Sequence, residues 1–228
     1  MAGSVRVLST LALKGAVRAL AGQYQAAGGA RIDADFAPTL ALLERLRAGE
    51  AADVVILTRE GLDEVAREGR AVAETCVELA RSFVGVAVKA GALHPDIATE
   101  ASLCATLLAA RAVAYSRLGA SGILFAQLIE RLGIAADINA RAVIIPQGFT
   151  AERLVTGEAD LAIQQISELK QVGGIEVVGP IPHELQTPAV FSAGRMRASE
   201  DVGEADRLLR YLASPDVAPA LRESGLEP

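Results

Sequence analysis

The sequence predicts an α/β protein of two lobes, each a mainly parallel sheet flanked by helices. Three observations lead there. Short β-branched runs alternate with stretches whose apolar residues recur every three or four positions, the order of β/α units around a parallel sheet. That rhythm starts twice, once at residue 5 and again after residue 90. The chain, 228 residues long, exceeds the usual single-core size, so two modest lobes suit it.

The elements follow in order. Residues 5–9 read as a first strand, and Leu13, Val17, Leu20 and Tyr24, spaced four, three and four apart, mark a helix that Gly28 and Gly29 stop. Residues 31–36 form a second strand, Thr39 can cap a helix running through Arg47, and residues 53–57 form a third strand before a helix over 60–68. After an alternating segment at 83–89, the pattern gives a helix near 99–109, a strand at 112–115 and a helix over 122–132. Strands at 142–145, 160–164 and 175–178 then alternate with helices at 150–156 and 167–171. Pro180, Pro182 and Pro188 break the rhythm; a strand at 189–193 and helices at 200–212 and 216–223 close the chain, which returns to the first lobe.

Composition excludes several function classes. Charged residues make up 22%, the formal charge is −6 and no basic tract exists, which argues against nucleic-acid binding. Tryptophan is absent and aromatics are 4%, so ring stacking is not the main recognition device. No apolar run approaches the ~20 residues of a membrane span, so no membrane insertion is expected. Arg6 interrupts the first apolar stretch before it becomes a signal segment, so the chain is expected in the cytoplasm as it stands, and in the periplasm if an export segment was removed. Cys76 and Cys104 do not make a disulfide framework and are expected as buried, reduced packing residues. With His94 and His183 the only histidines, neither a metal site nor a cofactor is expected.

One internal echo supports two related lobes. Arg45-Leu46-Arg47-Ala48-Gly49-Glu50-Ala51-Ala52-Asp53 parallels Arg153-Leu154-Val155-Thr156-Gly157-Glu158-Ala159-Asp160, each ending a helix with Gly and entering a strand through Asp. Capping chemistry alone makes such junctions alike. The alternative is that each lobe presents the same corner to a shared cleft.

Several local phrases, in their order, carry a resemblance. They are Val7-Leu8-Ser9-Thr10-Leu11, Phe36-Ala37-Pro38-Thr39 and Gly49-Glu50-Ala51-Ala52-Asp53-Val54-Val55-Ile56 in the first lobe. In the second they are Gly119-Ala120-Ser121-Gly122-Ile123 and Gly157-Glu158-Ala159-Asp160-Leu161-Ala162-Ile163, with Pro215-Asp216 opening a final helix. The chain resembles, over essentially its whole length, the periplasmic molybdate-binding-like solute-binding family. That resemblance implies the type 2 periplasmic-binding-protein fold, with lobes of residues 1–80 plus 191–228 and 85–184 and hinge crossings near 80–88 and 184–191. It also implies a small anion trapped between the lobes by hydroxyls and helix-start amides, with an ABC permease as partner if the chain is exported.

Helix starts suit that task by themselves, because their first N–H groups are unpaired and lie at the positive end of the macrodipole. Ser9, Thr10, Pro38, Thr39, Ser121 and Gly122 stand at such starts, with Gly122 expected to admit a ligand close to the backbone. Ser and Thr also cap helices without any ligand. The family's molybdate binders place a tyrosine after the late second-lobe strand, where this chain has Gln164; a neutral amide suits an organic carboxylate better than molybdate. Arg117 offers a planar fork for a carboxylate and Gln147 a second amide. Aconitate isomerase-like relatives raise an alternative, an isomerase or lyase acting by proton transfer on an unsaturated polycarboxylate. The expected corners supply no convincing base for it: Lys14, His183 and Tyr115 are each more often structural.

Overall fold

In the computed structural model the chain divides into two compact units, Met1–Ser82 with Ala189–Pro228, and Phe83–Pro188. Residues 3–228 are described, so the expected start at Met1 lies outside them. The first unit opens with β1 (Ser4–Thr10), α1 (Lys14–Ala26), β2 (Arg31–Ala37), α2 (Thr39–Arg47), β3 (Val54–Thr58), α3 (Arg59–Arg67) and β4 (Val77–Ser82). The second contains β5 (Val84–Lys89), α4 (Glu100–Ala109), β6 (Val113–Ser116), α5 (Ala120–Arg131), α6 (Ala135–Asn139), β7 (Val143–Ile145), α7 (Glu152–Val155), β8 (Leu161–Gln165), α8 (Ile166–Leu169) and β9 (Ile175–Pro180). The chain then completes the first unit with β10 (Ala189–Arg195), α9 (Val202–Leu212) and α10 (Ala218–Glu223).

Each unit is one five-stranded sheet, in the orders β2-β1-β3-β10-β4 and β7-β6-β8-β5-β9. The α/β class and the flanking helices are those expected, but the sheets are mixed rather than mainly parallel. β1 pairs parallel with β2 and β3, and β6 with β7 and β8. β10 and β5 run antiparallel to both of their neighbours. The parallel strands are those joined by crossover helices, which a parallel connection requires. β5 and β10 enter their sheets straight from the segments where the chain passes between units, with no helix to turn them.

Strand alternation builds a core on both faces of each sheet. In β3, Val54 and Ile56 pack with Val5, Val7 and Leu20, while Val55 and Leu57 pack with Leu8, Leu42 and Leu62. In β8, Leu161 and Ile163 join Tyr115 and Phe125, and Ala162 joins Ala151 and Leu154 on the other side. Fully burying each Leu, Ile or Phe contributes about 1.5–3 kcal/mol, so these two-sided strands fix the sheets. Two elements have no counterpart in the sequence reading. β4 is a half-exposed strand interrupted by Glu78 and Arg81, and α6 is a five-residue helix. The cysteines also differ from expectation: Cys76 and Cys104 are free but only half-buried.

Candidate functional site

Because β1, β2 and β3 are parallel and in register, with Thr10 beside Ala37 and Ser9 beside both Phe36 and Ile56, their carboxyl ends share one edge of the sheet. Such edges are where open α/β sheets bind ligands. Ser9 and Thr10 are both buried there. The Ser9 hydroxyl donates to the Thr10 carbonyl at 3.1 Å, and Thr10 Oγ1 accepts the Ala12 N–H at 3.0 Å, capping the short 3-10 turn before α1. At the next corner Pro38 is the N-cap of α2, and Thr39 is the first helical residue rather than the cap expected of it. Proline has no side-chain acceptor, so among the described residues nothing caps the first N–H groups of α2. The third corner is unlike it: Thr58 caps α3 by accepting the Gly61 N–H.

The second unit repeats the layout with other chemistry. β6 lies between β7 and β8, and Ser116 sits beside Ile145, so the ends of these strands again share an edge. α5 has Gly119 as its N-cap and no side-chain cap, and the Gly119 carbonyl accepts from the Gly122 and Ile123 N–H groups. The buried Ser121 hydroxyl stands in the first turn with no hydrogen-bond partner among the described residues. Arg117 is exposed; among the described residues its one hydrogen bond is to Asn139 Oδ1 at 3.5 Å, and Asn139 Oδ1 also accepts the Tyr115 hydroxyl at 2.5 Å. No carboxylate among the described residues pairs with it. Gln147 is exposed on the loop after β7.

Two residues expected at the ligand have other work. A Cβ on Gly122 would lie 1.4 Å from the Ser116 carbonyl oxygen, so this glycine lets α5 pack directly on the end of β6 instead of opening the backbone to a ligand. Gln164 is buried and its amide is filled by the protein. Oε1 accepts from Thr150 N–H at 2.8 Å and Thr150 Oγ1 at 3.1 Å, while Nε2 donates to the Gly148 carbonyl at 3.0 Å and to Glu168. With both lone pairs and both hydrogens engaged, Gln164 fastens the loop after β7 to β8. Strand alternation explains the displacement. Gln164 shares the face of Ala162, whereas the neighbouring buried Gln165 shares the face of Leu161 and Ile163.

Glu168 was not anticipated at all. It is the one ionisable side chain among the buried polar residues described, and it stands three residues past the end of β8 in the first turn of α8. Desolvation pushes its carboxyl up to about 8, against hydrogen bonds from the Gln165 backbone N–H and the Gln164 amide that favour the charged form. The sequence does hold a signal, since a Glu three residues after a helix N-cap folds back onto the cap N–H. Its burial depends on tertiary packing. The bases weighed from sequence lie elsewhere: Tyr115 is bound to Asn139, His183 stands edge-on to Phe83, and Lys14 begins α1 beside the Phe36 ring.

The arrangement in each unit is thus an edge of buried hydroxyls and an uncapped helix start, with one guanidinium that has no carboxylate partner among the described residues and one buried carboxyl added in the second. Among the described residues no three His, Cys, Asp or Glu side chains gather as a metal cluster, and no helix is long and apolar enough to cross a membrane. The chain is 36% identical over 231 residues to an aconitate isomerase from Pseudomonas sp., covering 99% of this chain and 88% of that protein. Its fold is similar to the Azotobacter vinelandii periplasmic molybdate-binding protein, with a TM-score of 0.83, 17% identity and 97% and 98% of the two chains covered. It is also similar to the sulfate-binding protein SubI from Mycobacterium tuberculosis, with a TM-score of 0.76, 15% identity and 99% and 87% covered. A family model described as bacterial extracellular solute-binding protein matches residues 5–227. With that match running nearly end to end over a two-unit α/β fold, the chain belongs to the bacterial extracellular solute-binding protein family.

Proposed function

We propose that this protein binds a small organic polycarboxylate through the carboxyl edges of its sheets. The observation that carries the reading is that each unit has a helix whose first turn lacks a side-chain cap, α2 in the first and α5 in the second, and that Arg117, just ahead of α5, has no carboxylate partner among the described residues. Uncapped amides and hydroxyls bind negative charge without a neutralising cation, and a guanidinium adds the planar fork that a carboxylate matches. Four charge-assisted bonds of about 1.5–3 kcal/mol each reach the roughly 8 kcal/mol of micromolar binding. Calorimetry with citrate, cis-aconitate, trans-aconitate, molybdate, tungstate and sulfate tests it. Carboxylates are expected to bind at micromolar levels and the tetrahedral oxyanions more weakly. Heat from molybdate alone, or from no anion, rejects the reading.

A second reading, catalysis, is favoured by the 36% identity to an aconitate isomerase across nearly the whole chain, about twice that shared with the binding proteins of similar fold. In it the bound polycarboxylate is unsaturated and undergoes a proton shift. Incubation with cis- or trans-aconitate in deuterated water, followed by NMR, separates the two: interconversion with deuterium uptake supports catalysis, while binding without turnover leaves a carrier. A carrier of this family would act outside the cytoplasmic membrane and deliver to an ABC permease.

A further inference from the structure

A proton shift needs a group that can both take and return a proton at neutral pH, held still in a water-poor place. Eleven polar residues are buried among those described, and Glu168 alone of them ionises near neutrality. It lies just beyond β8, at the sheet edge that also carries Arg117 and the start of α5. Its carboxyl is oriented from two sides, by the Gln165 backbone N–H and by Gln164. Gln164 cannot swing away, because Thr150 and Gly148 hold the remainder of its amide at 2.8–3.1 Å. A base, its orienting amide and a rigid mount for that amide are therefore built as one buried unit.

Building on the catalytic reading, we propose that Glu168 is the residue that carries the proton in the 1,3-shift of an unsaturated tricarboxylate. Its carboxylate removes a proton from the methylene between a carboxylate and the carbon–carbon double bond. The C–H electron pair spreads over the three-carbon allylic unit and the adjoining carboxylate. Glu168 then returns the proton to the far carbon of that unit, the double bond moves by one position, and the enzyme regains its carboxylate. Nothing is oxidised and no group leaves. Charge building on the substrate is met by the α5 amides and Arg117. The proton affinity of Glu168, raised by burial to about 8, matches both halves of the cycle.

The test uses the whole protein, with Glu168→Gln and Glu168→Asp alongside the parent, on cis- and trans-aconitate in deuterated water. Glu168→Gln is expected to lower kcat about a thousandfold while calorimetric affinity for trans-aconitate changes less than threefold. For the parent, kcat/KM is expected to rise about tenfold per pH unit and level off near pH 8, since the free enzyme needs the carboxylate. If the parent interconverts the isomers and Glu168→Gln does so at a similar rate, Glu168 is not the proton carrier and the catalytic reading survives. If the parent binds aconitate but does not interconvert it, the catalytic reading falls and this assignment with it. Should Glu168→Gln not fold, the pH profile decides: a flat kcat/KM from pH 6 to 9.5, against the roughly hundredfold rise to a plateau expected of this base, overturns the assignment.

Discussion

In the first unit Asp53 accepts the backbone N–H of Arg6 at 2.9 Å, and in the second Asp160 accepts that of Arg111 at 2.7 Å. Both aspartates open a strand that follows a helix ended by a glycine of positive φ, +91° at Gly49 and +77° at Gly157. Five residues after an arginine, a glutamate turns back to pair with it in each case, Arg45 with Glu50 and Arg153 with Glu158. Hydrogen bonding by Arg45 holds Glu50 down to about 2, and bonds from Thr156 and Arg153 lower Glu158 in the same direction. These twin corners stand at the amino ends of β3 and β8, the edge opposite the strand ends that bear Ser9, Thr39 and Ser121. The carboxyl edges are where the units part company, one lined with neutral hydroxyls and the other with Arg117, Gln147 and Glu168. Entry to a parallel strand is a packing problem with one recurring solution; the exit is free to take on chemistry.

Substitutions can strain that contrast. The largest effect is expected at Gly122, where a side chain collides with the Ser116 carbonyl. Gly122→Val should cost more than about 4 kcal/mol, read as loss of the second unit's cooperative melting, and a variant that melts normally would mean that α5 does not depend on this close approach. Next comes Glu168→Gln. The native carboxyl titrates near 8 and the unfolded one near 4.5, so between those values the native state holds a proton that the unfolded state has lost. Stability of the parent should therefore fall as pH rises through that window and then level off. The Gln variant lacks this loss and should gain on the parent by something on the order of 4 kcal/mol between pH 4.5 and 8, as measured by urea unfolding.

The twin corners should differ in degree. Asp53 also accepts the Ser199 hydroxyl at 2.8 Å and the Glu200 N–H at 3.1 Å, whereas Asp160 adds only the Arg111 guanidinium at 3.0 Å. Asp53→Ala should cost about 3 kcal/mol and Asp160→Ala about half of that; equal losses would show that the additional bonds to residues 199–200 contribute nothing. Smallest in stability are the helix starts. Thr58→Ala removes a cap and should cost about 1 kcal/mol, while Thr39→Ala and Ser121→Ala, which cap nothing, should stay within ~0.5 kcal/mol. The latter two should instead weaken carboxylate affinity about tenfold, the value of one hydrogen bond to a charged group. Unchanged calorimetric affinity would remove those hydroxyls from the site.

Much of this layout is legible in the chain. Strand-to-helix transitions are local, so Ser9, Thr10, Pro38, Thr39 and Ser121 could be placed at strand ends from periodicity and capping residues alone. What a side chain faces is less local. The late second-unit strand reads as 160–164 from the sequence and runs Leu161–Gln165, and a strand's two-residue period sets Gln164 and Gln165 on opposite faces of the sheet, which the sequence alone does not assign. Gly122 was read for its permissive backbone, whereas its role is set by the carbonyl of Ser116, six residues away. Glu168 escaped notice because a carboxyl in a short polar-looking helix is ordinarily solvated; only the packing of α8 against β5, β8 and β9 buries it. Of the two readings of the echo, capping suffices, because the junctions lie at the amino ends of β3 and β8 and sequence similarity carries no direction along a sheet.

The order in which the chain emerges has one more result. β10 lies between β3 and β4 in the first sheet, yet it is made only after the whole of the second unit. On the ribosome the amino-terminal half must therefore wait, with β3 and β4 lacking the strand that joins them, while the inserted residues 83–188 already have every strand of their own sheet. The part that starts second finishes first, and a released chain ending at residue 188 should protect the inserted unit from protease while leaving residues 77–82 open to cleavage.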